Sequence, residues 1–134
     1  MTSTSRAKAQ PPITIRESDA ERIANLALGA EDKSPQVAEL LLAEINRAKI
    51  VPDAQLPRDI VAMQSVVKFV DEASGLERTL QLAYPQDTDI DAGRISILSL
   101  VGAGLLGLKP GQSIRWPDRA GKHRELRIIA VMQD

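Results

Sequence analysis

The chain has no cysteine and very few aromatic residues: Phe69, Tyr84 and Trp116 are the whole set in 134 residues. Without thiols there is no disulfide, no thiolate metal site and no cysteine nucleophile, which suits a reducing compartment. Three aromatics offer little to stack on exposed bases, which argues against single-stranded nucleic-acid binding. His123 is the sole histidine; nothing beside it forms a nucleophile elbow, so it reads as an ordinary surface residue. An excess of either charge is also missing. Seventeen basic against 18 acidic residues leave a net charge of −1, too little to steer the protein toward nucleic acid or an anionic membrane, and a protein partner fits better. No apolar run approaches the roughly 18 residues of a membrane span. The first twelve residues, MTSTSRAKAQPP, contain no secretory hydrophobic stretch and are expected to form a disordered tail. The expectation is a cytoplasmic protein that is monomeric, not an enzyme, and needs no cofactor.

What is present begins with helical signals. Ser18-Asp19-Ala20-Glu21 has the form of a capping box, so a first helix is expected from Asp19 to about residue 28, with Ala20, Ile23, Ala24, Leu26 and Ala27 on its apolar face and Gly29 as its stop. Ser34-Pro35 starts a second helix, with Val37, Leu40, Leu41, Ala43, Ile45 and Ala48 inward and its end near Lys49. The pair is a short antiparallel helical hairpin over 13–50 whose tip carries Glu31 and Asp32.

Two prolines, Pro52 and Pro57, make 51–58 an extended linker. From residue 59 to 134 strand signals take over: Ile60-Val61, Val66–Val70, the alternating Leu80 and Leu82, Arg94–Leu98, Ser113–Trp116, and a long last strand, His123–Met132. In that last strand Leu126, Ile128 and Ala130 are expected on one face and Ile129 and Val131 on the other. The fold class is α+β: the hairpin, then an antiparallel sheet domain with one short helix.

Gly102, Gly104 and Gly107 spell G-x-G-x-x-G, yet Pro110 and Gly111 follow too soon for the long helix that a dinucleotide site requires. The better reading makes Ser99 the N-cap of a short helix, Leu100–Leu106, puts Gly107 in a left-handed position past its end, and uses Gly102 and Gly104 for close packing. Asp87-Thr88-Asp89-Ile90-Asp91 imitates an EF-hand start, but glycine falls at the wrong loop position and Leu98 stands where a bidentate glutamate belongs. Arg115, Arg119, Lys122, Arg124 and Arg127 crowd one hairpin and read as a solvated basic face.

Three separated blocks together resemble a known family. They are Asp19-Ala20-Glu21-Arg22-Ile23, the run Pro57 to Phe69, and the stretch from Tyr84-Pro85-Gln86-Asp87 through Leu100–Leu108 to Lys109-Pro110-Gly111-Gln112. The chain resembles the C-terminal domain of the bacterial Gre transcript-cleavage factors and, more closely, the Rnk family, named for regulation of nucleoside diphosphate kinase. The resemblance implies an FKBP-like fold for 59–134 that docks on RNA polymerase near its secondary channel and competes with Gre-type factors. The acidic-Ser-Pro docking pattern of the Gre factors falls here on Leu98-Ser99-Leu100, where only the serine is kept. Gre arms reach the polymerase magnesium through acidic residues at their tip; helices of about ten to fifteen residues span only ~15–22 Å, so Glu31 and Asp32 should not reach it and transcript cleavage is not expected. Direct binding to nucleoside diphosphate kinase is the alternative that the family name implies. Peptidyl-prolyl isomerase activity is a third reading, weakened because three scattered aromatics do not readily line a proline pocket.

Overall fold

The computed structural model describes residues 10–133. Strand β1 (Thr14–Arg16) leads directly into helix α1 (Glu17–Gly29), which is followed by α2 (Pro35–Arg47) and β2 (Lys49–Val51). The larger part contains β3 (Val66–Asp71), β4 (Leu76–Ala83), β5 (Arg94–Ser96), α3 (Leu100–Leu105), β6 (Ser113–Pro117) and β7 (His123–Met132). Its five-stranded sheet runs β5-β4-β3-β7-β6 and is antiparallel except for the β4–β5 pair. This is the expected α+β architecture, with β7 interior to the sheet.

Several local expectations are corrected. The capping box does not form: α1 starts at Glu17, and Ser18 instead gives its amide and hydroxyl to the Asp53 carboxylate at 3.1 and 2.6 Å. Asp19 points inward. Ala43 is exposed, and Ala38 and Glu44 are buried in its stead, because the inward stripe of α2 runs through Ala38, Leu41 and Glu44. Ile60 and Val61 are not in a strand. Their segment meets the end of α3 through Val61 N–H to Leu108 O (2.8 Å) and Gly107 N–H to Val61 O (2.9 Å), so its backbone is satisfied without a sheet. In β7 a bulge skips Ile129 between the partners of Lys68 and Phe69. One extra residue reverses the alternation, so Ala130 turns outward and Val131 packs on the core.

The N-terminal strap has its own sheet: β1 pairs in parallel with β2. Residues 51–58, expected as an extended linker, hold the end of β2 and a 3-10 turn at Asp53–Gln55. The tail expected over 1–12 lies outside the described residues up to residue 9. Residues 10–12 are docked: Gln112 Nε2 donates to Pro12 O at 3.0 Å, Gln10 Nε2 to Arg115 O at 3.2 Å, and Arg47 to Pro11 O.

The sheet curls around α3, whose glycines let it approach closely. A Cβ on Gly102 would collide with the carbonyl oxygen of Ser96, and one on Gly104 would lie 2.9 Å from the indole of Trp116. Gly107 is left-handed at φ +83°, as its place past the helix end requires. Ile23, Ala27 and Leu41 from the hairpin join Phe69, Leu82, Ile97, Leu105 and Ile128 in one continuous core.

Candidate functional site

Where β5 hands over to α3, the chain makes a tight turn at Leu98-Ser99-Leu100. Ser99 caps α3: its hydroxyl donates to Ser96 O at 2.7 Å and accepts from Gly102 N–H at 3.1 Å. Leu98 N–H donates to Ser96 Oγ (3.0 Å), and Leu100 O accepts from the Trp116 indole N–H (2.7 Å). Thus the Ser99 hydroxyl is committed to holding the turn, while Leu98 and Leu100 are half-buried beside it.

Ser99 and Leu100 form one wall of a groove of about 480 Å³ on the concave side of the sheet; Leu98 does not line it. Leu80, Ile95 and Leu126 make it apolar, and Arg78, Arg119 and Arg124 stand with Asp71 and Asp118 at its edges. Arg124 spans the two β-hairpins, reaching Asp71 at 2.7 Å and Asp118 at 3.0 Å. Its hydrogen bond holds the Asp118 carboxyl below its ordinary pKa; at Asp71 burial pushes upward, but Arg124 and the Ala73 amide outweigh it and the net shift is also downward. Arg78 and Arg119 have no acidic partner among the described residues, so the groove mouth carries unpaired positive charge.

Phe69 and Trp116, expected to be scattered, both line this groove. The two residues are only 2% and 3% exposed, so the groove presents mainly aliphatic surface and guanidinium groups in place of an aromatic pocket for a proline ring. His123 is exposed in β7. Among the basic residues of the β6–β7 hairpin, Arg124 is ion-paired as above and Arg127 pairs with Glu72 at 3.4 Å. In the acidic loop Asp89 accepts from the Ala92 amide and pairs with Arg94, and no cluster of metal-ligating side chains occurs among the described residues.

At the hairpin tip Glu31 and Asp32 are exposed and make no ion pair among the described residues. The tip residues and the 98–100 turn sit on separate elements and do not form one site. A third cluster went unrecognised in the sequence. Asp19, 3% exposed, accepts from Arg16 Nε (2.7 Å), Met63 N–H (3.2 Å) and the Tyr84 hydroxyl (3.0 Å). Arg22 lies 3.7 Å over the Tyr84 ring. Burial, reinforced by the Asp19 charge, pushes the Tyr84 hydroxyl up to about 12. The signal was available: Asp19 stands four residues before Ile23 and eight before Ala27, on the apolar stripe of α1.

The family model for the C-terminal part of the transcription elongation factors GreA and GreB matches residues 56–133. That match, on this curled sheet, defines the class: a regulator of the Gre transcription elongation type. Residues 11–51 match the model of the Rnk N-terminus, and over 122 residues the chain is 35% identical to the regulator of nucleoside diphosphate kinase of Escherichia coli K12, covering 91% of this chain and 90% of that protein. The chain therefore belongs to the Rnk family. It is also similar to GreA of Acidiphilium cryptum, 36% identical over 87 residues that make up 65% of this chain and 55% of that factor. Among solved structures, a prokaryotic transcription elongation factor GreA/GreB from Nitrosomonas europaea is 40% identical with a TM-score of 0.70, and the match covers 92% of this chain and 99% of that one.

No helix among the described residues is long and apolar enough to cross a membrane.

Proposed function

We propose that this protein is a cytoplasmic, non-enzymatic and monomeric regulator of transcription elongation that docks on RNA polymerase near the secondary channel and competes there with Gre-type factors. Docking is assigned to the sheet domain over 59–134, through the Leu98-Ser99-Leu100 turn and the adjoining groove. The observation that carries the reading is the pairing of a Gre-type C-terminal sheet with a short arm: both hairpin helices have 13 residues, about 20 Å at 1.5 Å per residue. Such an arm leaves Glu31 and Asp32 short of a distant metal centre, so the protein occupies the site without stimulating transcript cleavage. Arg78 and Arg119, which have no acidic partner among the described residues, add attraction for an acidic partner surface, a contribution that salt weakens.

The test is a pull-down of core RNA polymerase with the wild type, Leu98→Asp and a Glu31→Ala/Asp32→Ala double variant. Binding by the wild type and the tip variant, with loss in Leu98→Asp, is the expected pattern. Equal binding by all three would remove the 98–100 turn from the interface. The name of the E. coli relative supports a second reading, direct binding to nucleoside diphosphate kinase; a complex on mixing the two purified proteins, without polymerase, would establish it.

A further inference from the structure

The hairpin and the sheet share apolar contacts, and apolar contact has no preferred direction. Ile23, Ala27 and Leu41 alone would keep the helices attached while permitting them to pivot. Hydrogen bonds from Thr14 to Gly107 O and from Gln112 to Pro12 O tie the strap before α1 to the sheet domain, and on the helix itself one buried group is directional. The Asp19 carboxylate sits on the first turn of α1 and receives three donors from three separate segments: Arg16 at the end of β1, the Met63 amide in the loop before β3, and the Tyr84 hydroxyl just past β4. Arg22, one turn further along the same helix, closes over the Tyr84 ring. Ser18, beside Asp19, is bonded through both its amide and its hydroxyl to Asp53 in the turn after β2.

We propose that Asp19 is a positioning residue, a pin that fixes the helical hairpin at one angle to the sheet and its groove. A buried carboxylate is an expensive way to hold two parts together, since a well-packed apolar side chain serves attachment as well or better. What the carboxylate adds is a single permitted geometry, because its bonds are satisfied in only one relative placement of α1, the 63 loop and β4. The arm is thus a fixed spoke whose tip direction is set by residues at its root. This concerns the free protein and stands independently of any polymerase contact.

Because the chain contains no cysteine, Lys33→Cys with Ala73→Cys supplies the only two thiols for spin labels, one at the hairpin tip and one on the β3–β4 turn. Pulsed dipolar spectroscopy on this doubly labelled protein should give one narrow distance distribution. Tyr84→Phe, which removes only the bond to β4, should broaden it about twofold as further arm angles become populated, and Asp19→Asn should broaden it more. Thermal unfolding of the same samples separates positioning from stability. A lower Tm in Tyr84→Phe with an unchanged distribution overturns the proposal, as does a broad distribution in the parent protein. Tyr84→Phe decides the matter, whatever the folding of the Asp19 variant.

Discussion

The root and the tip of the helical hairpin use the same side-chain chemistry to opposite ends. At the root, Asp19 and Glu44 are 3% and 5% exposed and consumed by internal partners, Glu44 by both Nε and Nη2 of Arg47 at 2.8 Å. At the tip, Glu31 and Asp32 face solvent. Burial separates the two roles: a carboxylate out of water must be paired, and a paired one is part of the architecture, whereas an exposed one is free to meet something else. Residue type alone does not separate the four; their burial does.

The contrast predicts a graded series in urea denaturation. Asp19→Ala should cost about 3 kcal/mol, toward the low end for a broken buried pair because the Arg16 side chain is 31% exposed. Glu44→Ala should cost less, about 2 kcal/mol, because it strands one charged partner on its own helix instead of donors from three segments. Equal costs would mean that the Asp19 bonds to Met63 and Tyr84 contribute nothing beyond a local ion pair.

Alkali probes the root in another way. The Tyr84 hydroxyl is raised from 10 to about 12 in the folded protein. A group with a raised folded-state pKa contributes stability that is fully present below its unfolded value and is lost as pH rises through its folded one. Stability should therefore hold up to about pH 10 and decline between pH 10 and 12, where the phenol of the unfolded chain ionises while the folded one is still held protonated beside Asp19. In Tyr84→Phe the part of this decline due to the phenol should vanish. Smallest of all, Glu31→Ala and Asp32→Ala should shift stability by no more than about 0.5 kcal/mol; a larger change in either would erase the distinction between root and tip.

Periodicity made the regular elements legible. The two helices, the strand pattern after residue 65, the Ser99 cap and the left-handed Gly107 all follow from local rules. Beta strands of three residues, such as β1 and β2, are too short to show a period, and their pairing joins segments more than 30 residues apart. The bulge at Ile129 was equally hidden, because one skipped residue leaves the composition of β7 unchanged while reversing its faces. Ser18 illustrates a different failure: its local pattern fits a capping box, but the Asp53 carboxylate, 35 residues away, is a stronger acceptor for its hydroxyl. Of the candidate site, spacing located the Ser99 cap, while the choice of Leu98-Ser99-Leu100 as a docking turn came from the family resemblance. The groove beside it could not be located from spacing, since Arg78, Arg119 and Leu126 come together only through the sheet.

The central claim, that the sheet domain binds where Gre factors bind while the arm stays short of the active centre, is tested most directly by competition. Fluorescently labelled protein is titrated with core RNA polymerase, and a Gre factor is then added. The account predicts saturable binding at micromolar concentration or tighter, with release of the label as the Gre factor is added. No binding in that range, or a complex that excess Gre factor leaves intact, would contradict it.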